Sequence, residues 1–151
     1  MKILMVCLGN ICRSPLAEGI LQHKIKERGL DWEVDSAGTS SWHIGEQPHK
    51  GSIKIARQHQ IDITNQKARQ FRSEDFKNYD LILAMDIENY RNILDLSDNK
   101  HDHKKVKMIL NYSNPGINMA VPDPYFTGNF QEVYDLLDEA CEEVINHHSS
   151  N

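Results

Sequence analysis

Residues 3 to 18 constrain this chain more than any other stretch. Ile3-Leu4-Met5-Val6 is apolar at every position. Cys7-Leu8-Gly9-Asn10-Ile11-Cys12-Arg13-Ser14 follows without a break and runs into Pro15-Leu16-Ala17-Glu18. An unbroken apolar tetrad reads as a strand buried on both faces, the habit of a parallel sheet. From Pro15 to about Gly29 the apolar residues Leu16, Ile20, Leu21 and Ile25 share one helical face, and Gly29 supplies the stop. Strand, tight loop and helix start therefore follow one another directly.

The same alternation continues downstream. Glu33 to Ala37 reads as a second strand, followed by a Gly/Ser/Thr loop, and residues around His49 to His59 read as a helix. Asp80 to Met85 is a third strand, Ile87 to Leu96 a helix, Asp98 to Lys105 a charged solvated connection, and Val106 to Leu110 a fourth strand. From Asn129 to Ile145, Phe130, Val133, Tyr134, Leu137, Cys141, Val144 and Ile145 form one apolar stripe of a long helix. Strands alternating with helices predict an α/β fold, a parallel sheet covered by helices on both faces. At 151 residues, the chain (1–151) is expected to be one domain. In such sheets ligands gather beyond the C-terminal strand ends, which is where Cys7 falls.

Composition narrows the partners. A net charge of -5 lends no support to a nucleic-acid partner. No apolar run approaches a membrane span. The stretch Ile3 to Leu8 is too short for a signal-peptide core, so a cytoplasmic protein with no membrane partner is expected. Three cysteines, two of them in one loop, do not suggest a disulfide framework. The histidine pairs His101/His103 and His147/His148 lie in charged or terminal stretches without a cysteine or carboxylate framework, so no metal is expected.

The loop itself suits an anion. Gly9 removes a side chain where backbone must approach a ligand. Successive backbone N–H groups make a nest, and the following helix adds its positive end. Arg13 offers a planar fork for two phosphate oxygens. The same field favours the thiolate of Cys7, and Ser14 is placed to donate to it. The Gly-Lys-Ser/Thr ending of a nucleotide-binding loop is absent. A lone C-x5-R match is weak, because a cysteine ending a strand is usually a small buried hydrophobe. The strand before, the helix after, Gly9 within and Ser14 at the end point instead to phosphate-ester chemistry through a cysteine nucleophile.

Cys7 to Ser14, with Asp35-Ser36-Ala37-Gly38-Thr39-Ser40, Lys67-Ala68-Arg69-Gln70, Leu83-Ala84-Met85-Asp86 and Asp123-Pro124-Tyr125, resembles the low-molecular-weight protein tyrosine phosphatases over almost the whole chain. The resemblance implies a three-layer sandwich around a four-stranded parallel sheet of order 2-1-3-4. It implies no cofactor, a cysteinyl-phosphate intermediate, a phosphotyrosine-containing protein as substrate and inorganic phosphate as product. It makes Cys7 the nucleophile, Arg13 the phosphate clamp and Asp123 the general acid and base. Leu8, Gly9, Asn10, Ile11, Cys12 and Ser14 would wrap the phosphate. Asn10, Ser14, Ser36 and His59 would support the loop. Asp123 lies between two prolines, which stiffen it, and Asp86 is the alternative acid. Trp42, Tyr125 and Phe126 resemble an aromatic wall of phosphotyrosine depth.

Ile11 stands where phosphoarginine-selective relatives tend to carry Thr, so the resemblance leans to phosphotyrosine, with phosphoarginine as the alternative. Cys12 would capture a sulfenic acid formed on Cys7; Cys141 reads as core. A second histidine of some relatives is missing, and Asn65 is its expected substitute as a hydrogen-bond partner. A thioredoxin-coupled arsenate reductase needs further cysteines, and none lies between Cys12 and Cys141. A non-catalytic phosphotyrosine-binding module is disfavoured by the presence of Cys7, Arg13 and Asp123 together.

Overall fold

In the computed structural model, which describes residues 1–149, four parallel strands form one sheet in the order β2-β1-β3-β4. Residues 150 and 151 of the expected domain lie outside the described residues. The strands are β1 (Lys2–Cys7), β2 (Glu33–Gly38), β3 (Leu81–Ala84) and β4 (Val106–Met108). The helices are α1 (Arg13–Glu27), α2 (Lys50–Gln58), α3 (Asp75–Asn78), α4 (Ile87–Leu94), α5 (Lys100–Lys104), α6 (Leu110–Ser113), α7 (Pro124–Thr127) and α8 (Phe130–Ser149). Among the described residues no helix is long and apolar enough to cross a membrane.

β1 is apolar throughout because each of its faces meets a different core. Ile3, Met5 and Cys7 face α1 and α8, packing with Leu16, Ile20, Leu137 and Val144. Leu4 and Val6 face the other way, against Phe71, Phe76 and Ile93. Burying each such side chain contributes roughly 1.5–3 kcal/mol, so a polar substitution at any of these positions is costly. The registers Val6↔Ala37 and Val6↔Ala84 bring the ends of β1, β2 and β3 level. Their C-terminal edge is therefore a flat rim, and the Cys7 loop rises from it.

Several boundaries depart from the sequence reading. Asp98 to Lys105 is not merely a solvated connection. Asn99 accepts the N–H of His101 and caps α5, while His103 Nε2 lies within hydrogen-bonding distance of the Leu94 and Ser97 carbonyls. The fourth strand ends at Met108, because Ile109 and Leu110 turn into α6 and bury their side chains there. The last helix runs beyond Ile145 to Ser149.

Candidate active site

The loop between β1 and α1 is closed by hydrogen bonds from its own polar residues. Asn10 adopts a left-handed backbone, φ 57°, and its buried amide donates both hydrogens. One goes to Ser14 Oγ at 2.8 Å and the other to Ser36 Oγ at 3.0 Å. Its Oδ1 accepts the Arg69 N–H at 3.0 Å. Ser14 Oγ, which accepts from Asn10, lies 3.0 Å from Cys7 Sγ. The single Ser14 hydroxyl hydrogen has two acceptors in reach, the Cys7 sulfur and, at 3.5 Å, the Ala37 carbonyl. Gly38 is the floor under the loop: a Cβ there would lie 2.7 Å from the Leu8 carbonyl. Only glycine at the end of β2 permits this approach.

α1 begins at Arg13 with no side-chain cap, so its first N–H groups remain open to an anion above Cys7. The Arg13 side chain is almost fully buried. Its Nη1 donates to Asp86 Oδ2 at 2.8 Å and to the Val121 carbonyl at 3.0 Å. Its Nη2 faces Asp123 Oδ2 at 3.6 Å. Burial opposes the guanidinium charge, but Cys7, Asp86 and Asp123 outweigh it and hold the pKa above the ordinary arginine value. Asp86 also caps α4 by accepting the Asn89 N–H at 2.7 Å. Both its oxygens are thus engaged, and it anchors Arg13.

Asp123 caps α7, accepting the Tyr125 N–H at 3.1 Å. A cavity of about 220 Å³ opens between these elements. It is lined by Cys7, Arg13 and Asp123 at depth and by Trp42, Tyr125 and Phe126 among its walls. These three aromatics are 71%, 56% and 80% exposed, so much of their surface lies open at the cavity. Leu8, Gly9, Ile11 and Cys12 also line it, while Asn10, Ser14 and Ser36 stand behind. The Cys12 thiol is pushed up to about 12 by burial first, then by the charges of Cys7 and Asp123.

The structure does not bring His59 to the loop. Its ring lies flat on Tyr134 of α8, centroids 3.8 Å apart, because α2 points that residue at the core side of α8. Nor does Asn65 replace the missing histidine. Gln66 reaches inward instead, donating to the Pro15 carbonyl at 3.1 Å. Three contributors escaped the sequence reading. His43 lines the cavity beside Gly9. Arg69 holds Asn10 through its backbone. Glu18 accepts from Ser36 Oγ at 2.6 Å and so ends the chain Cys7–Ser14–Asn10–Ser36–Glu18. Helical periodicity places Glu18 on α1 but carries no sign that it turns toward β2.

Burial raises the Glu18 carboxyl to about 7, against the Ser36 hydrogen bond that lowers it. A carboxyl raised on folding contributes stability below its unfolded pKa, near 4.5, and loses it as pH climbs through 7. Glu18→Gln should therefore gain on the wild type by about 2 kcal/mol between pH 5 and pH 8. Chemical denaturation of both proteins at the two pH values checks this; a constant gap refutes it.

Over residues 2–150 the chain matches the family model described as low molecular weight phosphotyrosine protein phosphatase. It is 48% identical over 145 residues, 93% of the chain and 92% of the relative, to a Synechocystis protein bearing the family's name. The crystal structure of YfkJ from Bacillus subtilis superposes with a TM-score of 0.92 at 38% identity, covering 99% of this chain and 94% of that one. That of a Drosophila arginine phosphatase gives 0.89 at 35%, covering 100% and 99%. The 2-1-3-4 parallel sheet and these matches together define the class of protein, a phosphatase of low molecular weight. The chain belongs to the low molecular weight phosphotyrosine protein phosphatase family.

Proposed function

We propose that this protein hydrolyses phosphotyrosine in protein substrates, releasing inorganic phosphate. The observation that carries the reading is one cavity shared by Cys7, Arg13, Asp123 and the aromatic walls. The Cys7 thiolate attacks phosphorus as the P–O bond to the phenol breaks, and Asp123 gives its proton to the departing oxygen. Arg13 and the loop N–H groups hold the three equatorial oxygens, whose charge they stabilise. Water, losing a proton to Asp123, then displaces sulfur from phosphorus and restores the thiolate. The cycle as written uses these side chains and water alone. Leu8, Gly9, Asn10, Ile11, Cys12 and Ser14 shape the phosphate cradle, and Ser36 supports it through Asn10. A free thiol nucleophile suits the reducing cytoplasm.

Ile11 supplies a methyl surface where a phosphoarginine site would want a hydroxyl, and this keeps phosphotyrosine as the first reading. Cys12 serves as a redox guard. When peroxide oxidises Cys7 to a sulfenic acid, the Cys12 thiol displaces water and forms a disulfide. Burial is the main cause of the raised Cys12 pKa and persists, but that oxidation removes the next largest, the charge of Cys7. The reading is tested by quenching the enzyme in acid during turnover of a phosphotyrosine peptide. Mass spectrometry should find phosphate on Cys7. Turnover without that adduct, under conditions that preserve a control thiophosphate, overturns the cysteinyl route.

A further inference from the structure

His49 connects three parts of the site that lie far apart in the sequence: the phosphate loop, the start of α2 and the segment from Tyr125 to Phe130. Its backbone N–H donates to the Ile11 carbonyl of the phosphate loop at 2.7 Å. Its Nδ1 accepts the Gly51 N–H at 3.0 Å and caps α2. Its ring stacks on Phe130, centroids 5.2 Å apart and 21° between planes. The same ring meets the edge of Tyr125 at 6.0 Å and 76°. Tyr125 is two residues from Asp123, and its N–H is the one Asp123 accepts. Phe130 in turn packs on Ile11, Cys12 and Ala68 at the outer side of the phosphate loop. Gly51 makes room for this arrangement, since a Cβ there would lie 2.4 Å from the Phe130 ring.

We propose that His49 is a positioning residue: the stack Tyr125–His49–Phe130 sets where the Asp123 loop stands above the phosphate loop. The inference rests on Asp123 acting as the general acid. α7 is only four residues long, and Pro124 is its one buried side chain. Arg13 and the Met85 carbonyl fix the chain as far as Val121; beyond it so short an element cannot hold its own place, and the aromatic contacts supply what it lacks. The ring does this work, while the cap serves α2. The two roles therefore separate by substitution.

The experiment measures kcat/KM for phenyl phosphate and for dinitrophenyl phosphate. Phenolate needs a proton to leave, and dinitrophenolate does not. His49→Ala and His49→Asn, the latter keeping a capping oxygen, should lose about tenfold on phenyl phosphate and less than about twofold on dinitrophenyl phosphate. His49→Phe, which keeps a ring and loses the cap, should restore most of the phenyl phosphate activity. Gly51→Ala, which displaces Phe130 and leaves His49 itself intact, should reproduce the selective loss. Equal losses on both substrates mark a general structural defect and overturn the proposal. So does full activity in His49→Asn, which would assign the role to the cap. Asp123→Ala is the control. If it shows no leaving-group selectivity, the acid assignment fails and this inference falls with it; if it does and His49→Ala does not, only this inference fails.

Discussion

Cys7→Ser is expected to abolish phosphatase turnover, with kcat falling on the order of 10⁴–10⁶-fold, while phosphate binding survives. Serine is nearly the same size, so β1, the Ser14 contact and the nest around the anion are retained. What disappears is the nucleophilic sulfur, and a serine alcohol is a far weaker nucleophile than a cysteine thiol at neutral pH. Asp123 offers no remedy, since it sits on the leaving-group side. The variant should still bind a phosphotyrosine peptide within a few-fold of the wild-type affinity, as isothermal titration would show. Turnover within tenfold of wild type would remove Cys7 as the nucleophile.

Asp123→Ala should lower kcat/KM for phenyl phosphate by about 10²–10⁴-fold, and far less for an acidic leaving group. The geometry argues for this split. Asp123 stands 3.6 Å from Arg13 Nη2 and caps only the four residues of α7, so its loss leaves the fold and the phosphate cradle intact. Removing its carboxylate also leaves the guanidinium of Arg13 less neutralised, and inorganic phosphate should inhibit more strongly. A uniform loss across leaving groups, measured by steady-state kinetics, would make Asp123 a structural residue and return the acid to another group. Asp86 is less well placed for that part, since Asp123 lines the cavity and Asp86 is not among its lining residues.

Local pattern made much of this legible. The unbroken apolar run before Cys7 demanded two covered faces, and β1 has them. The Cys7 and Arg13 spacing needed only one loop, so no distant contact was required to read it. The losses came where long-range contacts decide. His59 follows the period of α2, but only the packing of α8 shows that its ring serves Tyr134. Asp86 could be read only as an alternative acid, because a carboxylate at a strand end carries no sign of the buried partner it meets. Arg13, 73 residues away, is that partner. Residues Lys100–Lys104 looked purely solvated because a short charged helix has no apolar stripe; its caps make it.

The N-terminal strand and helix, and the place of the loop between them, are thus determined by sequence alone, since apolar period and the Gly29 stop suffice to read them; the shape of the loop is not, because Ser36 and Arg69 hold it from far along the chain. The chemistry of an anion held over a cysteine follows from the same residues. Tertiary structure decided the rest. It brought Asp123 across the sheet to Arg13, set Glu18 at the end of the hydrogen-bond chain behind Cys7, and slid Gly38 beneath the loop. It also stacked His49 between Tyr125 and Phe130. The reason is physical: direction and burial fix the use of a carboxyl, an amide or an imidazole, and both are properties of neighbours far away in the chain.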